Sequence, residues 1–130
     1  MSFDVTFRTV PGTQAAATQG PHRVVVDRPK GVAGGKGLGL NGGQLLAMAI
    51  GGCLSNDVRY VARDLGVMID DIEIDVSLEV EDGIVLSAAV DVLLEAPDGV
   101  DTAEVIRRAV DDSTVLTAVR AGFPVDVRPG

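Results

Sequence analysis

The chain has 130 residues, with 11 basic and 19 acidic side chains, a net charge of −8 and a hydrophobic fraction of 46%. That balance fits one compact globular domain over residues 1–130 whose core needs no disulfide or structural metal. It disfavours a nucleic-acid partner, which the acidic charge would repel. The single Cys53 excludes an internal disulfide and any multi-thiolate metal centre, and the single His22 excludes an imidazole-rich one. The longest apolar run, Leu45–Leu54, is too short to span a bilayer, and Met1–Val10 does not read as a leader peptide. A soluble, cytoplasmic protein with no cofactor and no membrane association is expected.

Phe3–Thr9 alternates apolar and polar residues, which predicts a strand with Phe3, Val5 and Phe7 inward, ended by Pro11-Gly12. Thr13–Gly20 reads as a small, polar connection. Arg23–Asp27 is a second short strand suited to pair with the first, and Arg28-Pro29 closes it. Gly31–Gly43 is a glycine-rich loop, with Asn41 or Gly42 near a helix cap. A helix follows over Gln44–Leu65, with Gly66 at its left-handed C-terminal cap.

Beyond this helix, Ile72–Val80 alternates without error, Asp82-Gly83 is a hairpin turn, and Ile84–Leu94 returns with Ile84, Leu86, Ala88, Val90, Val92 and Leu94 on one face. Asp101 with Glu104 is a capping-box pattern that opens a helix through Val110. Asp111-Asp112-Ser113 breaks that helix and can cap another, Thr114–Ala121, which stops at Gly122. Phe123, Val125 and Val127 alternate as a final strand. The order is β-β-α-β-β-α-α-β, an α+β arrangement of antiparallel strands on a long central helix.

The central helix carries the most architectural information. Ala47, Ile50, Leu54, Val58, Val61 and Leu65 form one apolar stripe, but between Leu45 and Leu54 every side is apolar or glycine. Such a stretch asks for protein on all faces. The helix is about 33 Å long at 1.5 Å per residue, which one small chain would struggle to wrap. A second copy in a two-fold dimer would complete the wall.

Gly37-Leu38-Gly39-Leu40-Asn41-Gly42 matches G-x-G-x-x-G by letter only. A dinucleotide fingerprint needs its glycines directly between strand and helix of a parallel βαβ unit, and here a basic, proline-containing loop intervenes before an antiparallel hairpin. Cys53 lies in the helix beside Gly51 and Gly52 and one turn before Asp57. Helical glycines are unfavourable by about 1 kcal/mol each relative to alanine, so the pair points to close packing or a ligand. A lone cysteine on an apolar helix is ordinarily inert packing. A carboxylate at i+4 disfavours its thiolate, so activation would need an arginine from elsewhere.

Gly34-Gly35, the glycine run to Asn41 and Gln44-Leu45-Leu46-Ala47-Met48-Ala49-Ile50-Gly51-Gly52-Cys53 together resemble the central motif of the OsmC/Ohr family, the osmotically inducible and organic hydroperoxide resistance proteins. The resemblance extends through the Ile72–Leu94 hairpin to Arg120-Ala121-Gly122-Phe123-Pro124-Val125. It implies an intertwined homodimer whose central helices are wrapped by sheets from both chains. It also implies a peroxidatic cysteine at Cys53, oxidised by an organic hydroperoxide to a sulfenic acid. The family's resolving cysteine corresponds to Ser113 here, and its glutamate ten residues before the cysteine corresponds to Gly43. Its hairpin arginine has no counterpart in Thr13–Gly20, leaving Arg8, Arg23 or Arg28, with Arg23 the candidate thiolate partner. A one-cysteine enzyme would then regenerate through an external thiol reductant. The alternative is a non-catalytic dimer that binds a small hydrophobic ligand at the subunit interface beside Gly51 and Gly52.

Overall fold

The structure is a computed structural model that describes residues 1–130. By its internal contacts the chain forms two compact units, Met1–Leu46 and Ala47–Gly130. The element order is β-β-β-α-β-β-α-α, which differs from the sequence expectation at both ends of the chain.

The first unit is a three-stranded antiparallel sheet of β1 (Phe7–Thr9), β2 (Ala15–Gln19) and β3 (His22–Val26), in that spatial order. The expected strand from Phe3 is regular only from Phe7, and its apolar side chains are exposed, not inward. Ala15–Gln19, read as a connection, is the central strand. Its three alanines offer no alternation to detect, yet pairing of Ala15 with both Thr9 and Val26 puts it between two neighbours, and Ala16 and Ala17 are buried. β3 therefore pairs with β2, not with β1 as the sequence suggested.

The segment after β3 is organised by Asp27. Its side chain is fully buried, and its carboxylate accepts from the backbone N–H of Arg28 (2.8 Å), Lys36 (3.1 Å) and Leu38 (3.0 Å). The Leu38 N–H is the largest influence holding this carboxyl below the ordinary carboxylate range, ahead of the opposing effect of burial. The Lys36 and Arg28 N–H groups and the Arg28 charge add to it. The loop folds back so tightly that a Cβ at Gly35 would stand 2.6 Å from the Arg28 carbonyl oxygen, and one at Gly39 2.6 Å from that of Val25. These glycines serve close approach to β3 and the Asp27 turn, whereas the sequence pointed to crowding at the helix start.

The central helix α1 (Gly42–Leu65) starts two residues earlier than expected. Asn41 and Gln44 cap it reciprocally: Gln44 N–H donates to Asn41 Oδ1 at 2.8 Å, and Asn41 N–H to Gln44 Oε1 at 2.9 Å. Within the second unit α1 buries Ile50, Leu54, Val58, Val61 and Ala62. The all-round burial expected between Leu45 and Leu54 is not met by one chain: Met48 is 56% exposed, and Ala49 and Gly52 are open.

β4 (Asp71–Glu81) and β5 (Ile84–Glu95) form the expected hairpin, and Asp82 and Gly83 both take positive φ in its turn. Ile72 faces Leu94, Ile74 faces Val92 and Val76 faces Val90. The register shifts between Glu79 and Val80, so the even alternation expected from Ile84 to Leu94 breaks near the turn. Only Val90, Val92 and Leu94 are partly buried on β5. The core joins Val58, Val61 and Ala62 of α1 with Ile69 and with Val105 and Ala109 of α2 (Thr102–Asp112). Asp101 caps α2, accepting from Glu104 N–H at 3.1 Å. The last helix is α3 (Thr114–Ala121), ended by Gly122 at φ 73°. The expected final strand is absent: Phe123, Val125 and Val127 lie in irregular, exposed chain. Their alternation has no strand partner within this chain, and an unpaired segment gains no ladder hydrogen bonds.

Candidate active site at the central helix

Cys53 sits in the middle of α1, half-buried, on the turn after Gly51 and Gly52. Gly51 packs closely on the hairpin: a Cβ there would stand 3.2 Å from Val76 Cγ2 of β4, a tight contact. The opposite is true of Gly52, where a Cβ would meet nothing within 4 Å. The glycine pair thus does two different things. One residue lets the helix lie close on the hairpin, and the other faces open space.

Two side chains reach the sulfur. Helical geometry brings Asp57, one turn on, within 3.4 Å, and the thiol donates to its Oδ2. Ser113, sixty residues away in sequence, is wholly buried at the junction of α2 and α3, and its hydroxyl donates to Cys53 Sγ at 3.5 Å. The same oxygen accepts from Leu116 N–H at 3.2 Å as the N-cap of α3. Cap and sulfur contact together leave this hydroxyl little freedom.

Of the residues singled out from sequence, the structure brings Cys53, Ser113 and Asp57 together. Gly43, where the family glutamate would stand, supplies no carboxylate. Arg23 is an exposed residue of β3 paired with Thr18, and Arg8 is exposed on β1 opposite Ala16. Arg28 is held in the first unit, its Nη1 donating to the Thr13 carbonyl at 2.9 Å and its Nη2 lying 3.6 Å from Asp27. The buried Asp27 was not singled out, although an aspartate closing a strand just before Arg-Pro and a glycine run is a recognisable turn signal. No group of three or more His, Cys, Asp or Glu side chains is placed to hold a metal ion.

Residues 34–128 match the family described as OsmC-like protein. The chain belongs to the OsmC family. None of the curated proteins matches it. Among solved structures it is similar to an OsmC-like protein from Mycoplasma pneumoniae, at 14% identity and TM-score 0.78, covering 94% of this chain and 89% of that one. It also resembles the organic hydroperoxide resistance protein OhrB of Bacillus subtilis, at 23% identity and TM-score 0.63, covering 94% and 93%. A third relative is an organic hydroperoxide resistance protein from Vibrio cholerae with captopril bound in one of its active sites, at 20% identity and TM-score 0.61, covering 94% and 88%. At these identities the likeness establishes an OsmC-like α+β fold with two antiparallel sheets and helices. No helix is long and apolar enough to cross a membrane.

Proposed function

We propose that this OsmC-family protein is a cytoplasmic one-cysteine thiol peroxidase that reduces organic hydroperoxides, with Cys53 as nucleophile and residues 1–130 acting as one domain. The observation that carries the reading is the half-buried Cys53 sulfur, set in a family helix between the Asp57 carboxylate and the buried Ser113 hydroxyl. Cys53 sulfur attacks the terminal oxygen of the hydroperoxide, the O–O bond breaks, the thiol proton goes to the leaving alkoxide, and the products are Cys53 sulfenic acid and an alcohol. Sulfur loses two electrons and the peroxide gains them.

Ser113 occupies the place of a second thiol and cannot form a disulfide. Two external thiols therefore complete the cycle: the first condenses with the sulfenic acid and releases water, and the second displaces Cys53 and leaves as the external disulfide. The open space at Gly52, the exposed Met48 and the strandless Phe123–Val127 support an intertwined homodimer, in which a second copy covers the apolar first half of α1. Arg23 of one subunit is the proposed thiolate partner in that assembly.

The test is a titration of purified protein with cumene hydroperoxide in the presence of a dithiol, with dimedone trapping of the sulfenic acid followed by mass spectrometry. Turnover and one dimedone adduct at Cys53, both lost in Cys53→Ser, are expected. Absence of the adduct and of turnover would reject the peroxidase reading and favour a scaffold that binds a hydrophobic ligand.

A further inference from the structure

The reaction proposed for Cys53 needs a carrier for the thiol proton between its departure from sulfur and its arrival on the leaving alkoxide. Asp57 is the group positioned to receive it. The Cys53 thiol donates to Asp57 Oδ2 at 3.4 Å, across one turn of the same helix. The other neighbours of the sulfur are unsuited to the task. Ser113 is a donor there, its hydroxyl proton directed at the sulfur and its oxygen already accepting from Leu116 N–H. No histidine and no second carboxylate bonds to the sulfur. A guanidinium has no acceptor atom, so Arg23 of a second copy could balance charge at the sulfur but could not take its proton.

Asp57 is also uncommitted. The thiol is its one side-chain hydrogen-bond partner, and none of the ion pairs of the chain includes it. Asp27 and Glu104 differ in this respect, the first taken by three backbone N–H groups and the second by two arginines. Asp57 is half-buried on a helix that turns Leu54, Val58 and Val61 into the core. A carboxylate there gives up part of its hydration, and a thiol is a weak donor that returns little of it. Stability therefore gives a poor reason for this pair, and proton transfer gives a good one.

We infer that Asp57 is the catalytic base and acid of the Cys53 site. As the sulfur lone pair attacks the terminal oxygen of the hydroperoxide, the carboxylate takes the thiol proton and the O–O bond breaks. The carboxylic acid then gives that proton to the alkoxide, leaving Cys53 sulfenic acid, an alcohol and the carboxylate restored. Because the proton leaves as the S–O bond forms, the thiol need not ionise beforehand. Asp57 acts in this way only if Cys53 is the peroxidatic nucleophile, the reading on which its role rests.

Asp57→Asn keeps the side-chain shape and an acceptor oxygen but cannot carry the proton. Two reactions of Cys53 are compared by rapid-mixing kinetics in wild type and variant. Cumene hydroperoxide releases an alkoxide that must be protonated, whereas iodoacetamide releases iodide, which needs no proton. In Asp57→Asn, oxidation should slow by about a hundredfold, the lower end of what a positioned acid–base group contributes, while alkylation is undiminished. Oxidation as fast as wild type or faster, the result expected if the carboxylate only crowds the sulfur with charge, would overturn the inference. An equal loss in both reactions would overturn it too, since that marks a displaced sulfur. A wild-type protein that is alkylated but never oxidised would reject the peroxidase reading and the Asp57 role together. Wild-type oxidation that Asp57→Asn leaves intact would reject the Asp57 role alone.

Discussion

The two units are held together by different physics. Residues 47–130 have an apolar core in which Val58, Val61 and Ala62 meet Val105 and Ala109, and the polar side chains largely stay at the surface. Residues 1–46 have a thin sheet whose central strand buries only two alanines, and much of their order comes from one buried carboxylate holding three backbone N–H groups. An apolar core tolerates changes of pH and salt and is sensitive to lost volume. A carboxylate hub responds to its own ionisation, since its acceptor strength depends on the negative charge.

Removing volume should separate the units most clearly. Leu54→Ala, at a residue only 2% exposed, should lower the stability of the second unit by about 2–5 kcal/mol in chemical denaturation. A change below about 1 kcal/mol would mean that this part of the helix is not packed as described. Next in size is the contrast between adjacent glycines. Gly51→Leu drives a side chain into Val76 and should destabilise the folded chain by about 1–3 kcal/mol. Gly52→Leu meets open space, so the single chain should be unharmed or slightly stabilised by better helix propensity. Self-association, read by sedimentation, should weaken by about 1–3 kcal/mol if a second copy covers that face. Undiminished association in Gly52→Leu would remove the crowded-helix argument for the dimer.

The first unit is probed by Asp27→Asn. The amide presents donors to three N–H groups that need acceptors, so hydrogen-exchange protection at Lys36 and Leu38 should fall while α2 stays protected. Because folding lowers the Asp27 pKa from its usual 3.8, its contribution is present above that value and is lost as pH falls through the lowered one. Wild-type protection at these amides should therefore decline in acid, and that of the variant should stay flat.

The smallest effect belongs to the surface of α2. Glu104 is held at about 2, against its usual 4.5, first by hydrogen bonding from Arg107 and then from Arg108. Its stabilisation is complete above 4.5 and fades as pH falls toward 2. Glu104→Gln should flatten that part of the stability profile, and added salt should shrink the difference, because these pairs are solvent-exposed.

How much was legible in the sequence tracks how local the deciding interaction is. The β4–β5 hairpin, the α2 cap at Asp101 and the Gly122 stop rest on neighbours a few residues apart, and each was read at nearly its observed position. The Ala15–Gln19 strand was not, since three alanines show no period and pair only because other strands flank them. The Phe123–Val127 alternation was legible as a pattern, but a strand needs a partner and this chain alone supplies none. At the candidate site, Cys53 and Asp57 share one helix face and their spacing announced them. Ser113 was identifiable only through family resemblance, and its hydrogen bond to the sulfur depends on where the α2–α3 junction packs.

Residue spacing by itself determined the long helix, the hairpin and the caps, because period and turn chemistry act over one or two turns of chain. Tertiary structure alone decided that Ser113 reaches Cys53, that Gly51 is packed while Gly52 is open, and that Asp27 gathers the glycine loop. Those outcomes depend on which surfaces meet across tens of residues, and a linear pattern carries no information on that distance.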